Sequence, residues 1–283
     1  MTTTTRTAGE ATAGTAPVTA PVRPVGGSRI GWAVADTMTV VRRNLIVYTR
    51  IPEFLFFSTV QPIMFVLLFR YVFGGAIHPP PGYPSYADYL MPGIFVQSVA
   101  FGSISTAVGL SEDLQKGLIE RFRALPMARS AVLTGRTTAD LVRNIFVVAV
   151  ITGVGLAVGF RIGAGVLAFL AGVVMILVFA YALSWGFAVI GLSAPNSETA
   201  QVMAFPILFP LVFASPAFVN VRSMPGWLQP FADHQPIGVV VTATRALTHG
   251  GPTAGPVWQA LAWCVGLLIV FVPLAIRQYH RRT

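Results

Sequence analysis

Residues 166–192 read VLAFLAGVVMILVFAYALSWGFAVIGL, a run of 27 residues without a charged side chain. A helix of about 20 apolar residues crosses the roughly 30 Å hydrocarbon core of a bilayer, so this run is long enough to span a membrane. The strands of a membrane barrel would alternate apolar and polar residues over roughly ten positions, and this run does not alternate. It therefore predicts a transmembrane helix.

Five more apolar segments of 18 or more residues predict an all-α integral membrane protein. The chain of 283 residues is 54% hydrophobic and 10% charged, with a mean hydropathy of +0.71, whereas soluble domains are about one quarter charged. Three prolines in the fifth segment predict a bent or broken helix, because proline removes a backbone donor. The six predicted spans are Phe54–Phe73, Tyr89–Leu110, Leu141–Phe160, Val166–Leu192, Val202–Val219 and Trp258–Ile276.

The regions outside the spans differ in composition. Residues 1–28 are rich in Thr, Ala, Pro and Gly and are expected to form a disordered cytoplasmic tail. Residues 29–51 are expected to form an amphipathic helix in the headgroup plane, because apolar residues recur on one face and basic residues lie largely off it. Residues 52–283 form the predicted six-helix domain, with loops at 111–140 and 220–256. The apolar face of the predicted helix at 29–51 consists of Val34, Met38, Val41, Leu45 and Tyr48.

The predicted loop at 220–256 contains Trp227, Phe231 and the apolar run 237–241. A wholly solvated loop would not hold these residues, so it is expected to form short external helices before the last span.

The basic residues are distributed unevenly between the two sides of the predicted spans. Fifteen of the 19 lie before the first span, between or beside the second and third, or after the sixth. The other side holds Arg161, Arg222 and Arg245, and Arg70 lies within the first span. Because loops rich in Lys and Arg stay in the cytoplasm, this distribution places both termini there. An even number of spans independently requires both termini on one side.

The sequence contains no motif for energy conversion or catalysis. A P-loop needs a glycine directly before its lysine, and the sole lysine, Lys116, follows Gln115. No Ser/His/Asp, Cys/His or paired-carboxylate arrangement lies in the spans. Four scattered histidines and the single Cys264 predict neither a metal site nor an intrachain disulfide. The net charge of +9 would suggest nucleic-acid binding in a soluble protein, but here the basic residues lie between membrane spans.

Few ionisable residues lie within the spans, which disfavours an ion-coupled carrier. Such carriers place charged groups at mid-membrane to bind H⁺ or Na⁺. Arg70 is expected at the outer interface, and Arg143, one turn inside the third span, is expected to snorkel to the cytoplasmic interface. The chain thus forms a membrane domain without an energy source, which predicts a partner that supplies one.

The stretch Ser111–Pro126 predicts a short amphipathic helix on the cytoplasmic side. Leu114, Leu118 and Phe122 recur at intervals of four, charged residues occupy the other faces, and Pro126 ends the helix. Its apolar face could dock in a groove of another protein, or the stretch could be an ordinary solvated extension.

The run GLIERFRALPMAR at 117–129, with Gly135, Arg136 and Asp140 after it, resembles the type-2 ABC export permeases. The resemblance extends over most of the chain from about Ile30 and is greatest to the daunorubicin and doxorubicin resistance permeases of actinomycetes. The outer loop also matches that family, through residues 224–228, Gln235, Pro236 and Arg245. Glu198 resembles the polar corner between the fourth and fifth spans.

The resemblance implies a homodimer of this permease in the bacterial plasma membrane, bound to two copies of a separate ABC ATPase subunit. ATP and magnesium would bind to that partner, and this chain would bind no cofactor and catalyse no reaction. A segment around 120–126 would couple the two subunits. The candidate coupling residues are Lys116, Leu118, Glu120, Arg121, Phe122, Arg123, Leu125 and Pro126.

The substrate implied by the resemblance is a hydrophobic compound such as an anthracycline-like antibiotic. Aromatic side chains can stack on a planar drug, although in any membrane protein most of them pack against lipid or other helices. Export of a lipid or a lipid-linked glycan is an alternative, as is a secondary transporter or channel without an ATPase. The candidate substrate-pathway residues are Phe65, Phe69, Phe95, Phe101, Phe205 and Phe209.

Overall fold

The computed structural model describes residues 29–50, 52–76, 79–118 and 129–282. Within these ranges the chain forms helices and turns and contains no strand. The predicted tail at 1–28 lies outside them. The helices are α1 (Arg29–Arg50), α2 (Pro52–Leu67, continued by a π-helical turn at Leu68–Val72), α3 (Tyr86–Gly102), α4 (Ile104–Gln115), α5 (Arg129–Ala157), α6 (Val166–Ser193), α7 (Ser197–Phe213), α8 (Gln229–His234), α9 (Pro236–His249) and α10 (Ala254–Arg282).

Five stretches of helix in the described ranges are long and apolar enough to cross a membrane. They correspond to the first, second, third, fourth and sixth predicted spans. The fifth predicted segment forms α7, which has 17 residues and contains Pro206 and Pro210. The prediction of an all-helical integral membrane protein is confirmed. The five stretches are Leu55–Val72, Tyr86–Gln115, Ala131–Ala157, Val166–Ser193 and Ala254–Arg282.

The helix bundle has two distinct ends. The basic end contains α1 and the last turn of α10, where Arg282 donates a 2.6 Å hydrogen bond to the carbonyl of Ser193 at the end of α6. At the opposite end the Tyr86 hydroxyl, at the start of α3, donates to the carbonyl of Phe218, in the turn after α7. Because α7 begins beside Ser193 and ends near this turn, it crosses the bundle despite its length. Within the described ranges, the five long apolar stretches and α7 therefore cross the bundle.

The second span is interrupted at Ser103, where α3 ends and α4 begins. The Thr106 amide donates to the carbonyl of Ser103 rather than to that of Gly102. The Gly102 carbonyl instead accepts from the Ser105 hydroxyl at 2.8 Å and from Nη2 of Arg143 at 2.6 Å. The apolar run alone predicts one continuous helix. The interruption could not be predicted from it, because Arg143, one of the donors that stabilise it, lies on α5.

Helices α4 and α6 are in backbone contact at Gly191. A methyl group on Gly191 would lie 2.4 Å from the carbonyl oxygen of Ala107 and 2.8 Å from its Cα. Leu110 and Leu192 are fully buried nearby. Inside a membrane, where lipid is as apolar as the helices, close approach at small residues is a principal source of helix association. This contact therefore fixes α4 against α6.

We expect Gly191→Ala to destabilise the protein by about 1–3 kcal/mol, because the added methyl group must displace the backbone of α4. Thermal unfolding of the purified protein in detergent should show a lower midpoint. Gly266→Ala on α10 is the matched control, since its added methyl group would meet nothing within 4 Å. Alanine favours helix over glycine by about 1 kcal/mol, so the control should be neutral or stabilising. An unchanged midpoint for Gly191→Ala would contradict the backbone contact.

The connection between the second and third spans is shorter than the predicted loop at 111–140. Helix α4 continues five residues into that range, and α5 begins at Arg129. The predicted single helix Ser111–Pro126 is also interrupted. Gly117 has a φ of +62°, and its amide donates to the carbonyl of Leu114 at 3.1 Å. Glycine ends a helix in this left-handed conformation without a Cβ penalty, so the predicted helix is broken at Gly117. Its remaining part, at 119–126, lies outside the described residues.

Helix α1 packs along the first half of α5. Gly135 permits a close approach, since a methyl group there would lie 2.6 Å from Cβ of Val40. The predicted apolar face of α1 is divided: Val41 and Tyr48 are buried against the bundle, whereas Val34 is 59% exposed. An exposed apolar side beside the first span is compatible with a helix in the headgroup plane, which stays a prediction.

Two short helices, α8 and α9, precede the last span, as predicted. The Gln235 side chain joins them to the bundle, because its Nε2 donates to the carbonyl of Leu211 at 2.9 Å. Its Oε1 accepts from the Ile237 amide at 3.0 Å and caps the start of α9. Val240 and Val241 are fully buried, so α9 packs into the opposite end of the bundle.

Candidate functional site

Phenylalanine rings form a continuous row on α7. Phe205, Phe209 and Phe213 are four residues apart and therefore share one helix face. Their ring centres are separated by 5.4 Å and 4.3 Å along the row. Phe101 of α3 joins the row, with its ring centre 6.0 Å from that of Phe205.

The row continues onto α2 through Phe218. Its ring stacks on Phe69 at 4.6 Å and on Phe213 at 5.4 Å. Phe65 lies 6.0 Å from both Phe69 and Phe218, and Phe73 lies 5.3 Å from Phe69. The eight rings, here called the aromatic ladder, lead from the middle of the bundle to its opposite end. Its members are Phe65, Phe69, Phe73, Phe101, Phe205, Phe209, Phe213 and Phe218.

Five of the six predicted pathway residues belong to this ladder, and Phe95 does not. Phe95 is fully buried, with its ring centre 6.1 Å from that of Phe160 and 6.3 Å from that of Phe169. It packs in the core between α3, α5 and α6. The spacing of four on α7 could have identified Phe213, but no spacing in the sequence points to Phe218, which follows the end of the helix.

A cavity of about 430 Å³ lies at the inner end of the ladder, between α2, α3, α4, α5 and α7. We call it the amide cavity, because carboxamides line it together with aromatic rings. Cavities of this size, mostly apolar with a few polar groups, are typical of small-molecule sites. Its aromatic and carboxamide residues are Phe57, Phe101, Phe205, Gln61, Gln97, Asn144 and Gln201.

Two carboxamide atoms at this cavity have no hydrogen-bond partner. They are Oε1 of Gln97 and Nδ2 of Asn144, and both residues are only 2% exposed. A buried polar atom without a partner costs about 1–3 kcal/mol, so a bound molecule or water with matching groups would be favoured there. The cavity thus offers one acceptor and one donor between aromatic rings.

Arg143 lies on the wall of the amide cavity and is 3% exposed. Its Nη2 donates to the Gly102 carbonyl and to Oδ1 of Asn144, and its Nη1 bonds to the Ser105 hydroxyl. The expectation that Arg143 snorkels to the interface was wrong. Helix α5 begins at Arg129, several turns earlier than predicted, and this places Arg143 deep in the bundle.

A buried polar network ties α1 to the basic end of the bundle. Asp140 is fully buried, and its two carboxylate oxygens accept 2.6 Å hydrogen bonds from the hydroxyls of Tyr48 on α1 and Thr106 on α4. Burial, and next the charge of Asp140, raise the pKa of Tyr48 above its usual value, so the phenol stays a donor. Arg136 lies 3.8 Å from Asp140 and 3.9 Å from Asp113.

The network extends to the flanks of the predicted coupling segment. Arg43 of α1 forms a 2.9 Å ion pair with Asp113 near the end of α4. Lys116 forms an exposed 3.3 Å pair with Glu112, and Leu118 is half-buried. The other coupling candidates, Glu120, Arg121, Phe122, Arg123, Leu125 and Pro126, lie outside the described residues.

A second polar contact fixes the opposite end of the bundle. Arg245 of α9 is 5% exposed, and its Nε donates to the Tyr89 carbonyl at 2.9 Å. Its Nη2 donates to the carbonyls of Pro216 and Ala217 at 2.6 and 3.0 Å. The guanidinium carbon also lies 3.6 Å from the centre of the Tyr89 ring, a cation–π geometry. One side chain thus joins α3, α9 and the turn after α7.

Sequence comparisons agree with this architecture. Residues 35–248 match the ABC-2 type transporter family. The daunorubicin resistance ABC transporter permease protein DrrB1 of Streptomyces coeruleorubidus is 35% identical over 252 residues, which cover 88% of each chain. The probable doxorubicin resistance ABC transporter permease protein DrrC of Mycobacterium tuberculosis is 28% identical over 86% of this chain and 88% of its own length.

A more distant relative is the putative transport permease ycf38 of Cyanophora paradoxa, which is 23% identical over 76% of this chain and 74% of its own length. The family match spans α1 from residue 35 through α9, and so contains both the ladder and the polar network. The resemblance seen in the sequence is confirmed. The chain is a member of the ABC-2 type transporter family of membrane permeases.

Proposed function

We propose that the chain is the permease subunit of an ATP-driven exporter, and that it exports planar hydrophobic compounds of the anthracycline class. The observation that supports this most is its 35% identity, over 88% of both chains, to a daunorubicin resistance permease. The sequence contains no P-loop, so a separate ABC ATPase would supply the energy. This chain would form the route of the substrate across the membrane.

The amide cavity and the aromatic ladder are the proposed substrate site and route. A planar drug would stack on Phe101 and Phe205, while its carbonyl and hydroxyl groups bind Asn144 and Gln97. Successive rings at 4.3–6.0 Å then offer similar stacking surfaces toward Phe69. Stacking holds a molecule without fixing its orientation, which suits movement along a row.

The proposed assembly is a homodimer of this chain bound to two ATPase subunits in the bacterial plasma membrane. The basic end would face the cytoplasm, because positively charged segments are retained on that side. Leu118 and Arg129, which flank the predicted coupling segment, would then lie on the side of a cytoplasmic ATPase. The aromatic ladder would open toward the outer leaflet.

Transport into inside-out vesicles tests the proposal. Vesicles that contain the chain and its ATPase should accumulate doxorubicin when ATP is added, and a non-hydrolysable ATP analogue should abolish the accumulation. Uptake driven by a proton or sodium gradient without ATP would instead indicate an ion-coupled transporter. ATP-dependent movement of a labelled phospholipid, without any of doxorubicin, would indicate a lipid exporter.

We expect Glu120→Ala combined with Arg123→Ala to uncouple the two subunits. The pair would lose its charged contacts with the ATPase, so ATP hydrolysis should persist while doxorubicin accumulation falls about tenfold or more, the loss of roughly 1.4 kcal/mol of coupling. The matched control is Arg50→Ala combined with Glu53→Ala, which removes the same two charges from exposed positions at the basic end. Normal transport in the Glu120/Arg123 variant, at equal membrane levels, would exclude these residues from coupling.

A further inference from the structure

A second cavity, here called the vestibule, lies at the basic end between α1, α4 and α5. Its volume is about 480 Å³. Asn44 and Val47 of α1 form one wall, and Val108, Gly109 and Leu118 are among the residues opposite. Because α1 precedes the first span at the predicted headgroup level, the vestibule lies where an amphipathic molecule would partition from the inner leaflet.

The vestibule and the amide cavity share part of their walls. Ser105 and Val108, one turn apart on α4, line both cavities. Ser105 is held from both sides: Nη2 of Arg136 donates to its carbonyl at 3.2 Å, and Arg143 bonds to its hydroxyl. A single turn of α4 therefore separates the two cavities.

An unpartnered donor lies on the vestibule wall. Asn44 is 3% exposed, and its Oδ1 accepts from Arg43, but its Nδ2 has no hydrogen-bond partner. In the amide cavity, Nδ2 of Asn144 and Oε1 of Gln97 also have no partner, so three buried carboxamide atoms without hydrogen bonds lie on the two sides of Ser105. A molecule with carbonyl and hydroxyl oxygens would satisfy each atom in turn.

The charges of the vestibule are balanced, which bears on the chemistry of the ligand. Arg43 pairs with Asp113 at 2.9 Å, and Lys116 pairs with Glu112 at 3.3 Å. Arg136, the third cation of the lining, lies 3.8 Å from the carboxylate of Asp140. Paired charges bind a charged ligand only weakly, because the partner already compensates most of each charge. The site is therefore suited to a molecule that is recognised by its oxygen acceptors and its apolar surface.

We propose that the vestibule is the loading site of the exporter, which rests on the function proposed above. A planar amphipathic compound with carbonyl oxygens enters beside α1, accepts a hydrogen bond from Nδ2 of Asn44, and passes Ser105 and Val108 into the amide cavity. Ser105 and Val108 form the threshold between the two cavities. The width of this threshold then determines how large a compound is exported.

Cysteine labelling tests the threshold in the assembled complex. Cys264 is the only cysteine of this chain, so Cys264→Ser gives a cysteine-free permease, which is first shown to export doxorubicin with its ATPase. Val108→Cys in that background should react with a maleimide added from the cytoplasmic side, and doxorubicin should slow the reaction about tenfold at a concentration ten times its half-saturating value. Gln115→Cys, exposed at the end of α4 and lining neither cavity, should react equally with and without doxorubicin.

Transport kinetics test the same proposal without labelling. Asn44→Ala removes one donor, so the half-saturating doxorubicin concentration should rise about three- to tenfold while the maximal rate stays within twofold. Val108→Trp should reduce export strongly because its indole fills the threshold, whereas Val142→Trp, on an exposed face of α5 that lines neither cavity, should leave export unchanged.

Each outcome distinguishes the loading site from the function. If the unmodified complex exports doxorubicin but Val108→Cys shows no protection and Asn44→Ala keeps its half-saturating concentration, the loading site is wrong and the proposed function stands. If the unmodified complex, with ATP hydrolysis intact, exports no doxorubicin, the proposed function is wrong and the loading site is withdrawn with it.

Discussion

Asp140→Ala should destabilise the protein by about 3–5 kcal/mol, the cost of breaking a buried ion pair by removing one partner. Asp140 is fully buried, and its removal would leave the Tyr48 and Thr106 hydroxyls without their acceptor. Arg136, 14% exposed in its side chain, would lose a carboxylate 3.8 Å away. Because Tyr48 lies on α1, the substitution should also release that helix from the bundle. Thermal unfolding in detergent and protease cleavage within α1 measure the two effects.

Asp140→Asn separates the two roles of the carboxylate. Asparagine keeps the volume of the side chain but offers one acceptor oxygen, where two hydroxyls donate. The unfolding midpoint of the Asp140→Asn variant should therefore fall between those of the wild type and the alanine variant. Asp233→Ala is the control, because Asp233 is exposed at the opposite end and should change stability by less than about 0.5 kcal/mol. A wild-type midpoint for Asp140→Ala would show that the network does not hold the basic end together.

Arg245→Met should also destabilise the protein by several kcal/mol, because each buried carbonyl that loses this donor costs about 1–3 kcal/mol. Methionine fills much of the same volume but leaves the carbonyls of Tyr89 and Ala217 without this donor. The segment between α7 and α10 should then become susceptible to protease, since Arg245 joins it to α3. Mapping the cleavage sites, together with the unfolding midpoint, measures this result.

Arg245→Lys should recover little of the lost stability. An ammonium group is a point charge on a flexible stem and cannot reach three carbonyls at fixed angles as the planar guanidinium does. Arg222→Met serves as the control, since Arg222 is exposed on the same face of the bundle. Equal protease resistance of the Arg245→Met variant and this control would refute the role assigned to Arg245.

The spans themselves could be predicted because length and apolar composition suffice to identify a membrane helix. Residues 166–192 contain no charge over a length sufficient to cross, and α6 (Val166–Ser193) follows them closely. The boundaries next to charged residues were less accurate. Helix α5 begins at Arg129 rather than near Leu141, and its charged residues Arg136 and Asp140 belong to a buried polar network.

The site could be predicted only in part. The separation of four residues between Phe205 and Phe209 places both on one face of a helix, and this can be predicted from neighbouring positions in the sequence. The pairing of Asp140 with Tyr48 spans 92 residues of sequence, and that of Arg245 with Tyr89 spans 156, so neither is visible in a local pattern. The misplacement of Arg143 has the same cause, since its partners Gly102 and Ser105 lie on α3 and α4, about 40 residues earlier in the sequence.

The interruption at Ser103 divides the second span into two helices with separate anchors. Helix α3 is anchored beyond it by the hydroxyls of Tyr86 and Tyr89, which bond to the turn after α7. Helix α4 has 12 residues and is about 18 Å long. Because α4 is held against α6 at Gly191, a swing of about 10° at Ser103 would carry α6 with it and move the far end of α4 by about 3 Å. A force applied beyond Gln115 would change the wall shared by the two cavities before it reached the opposite end.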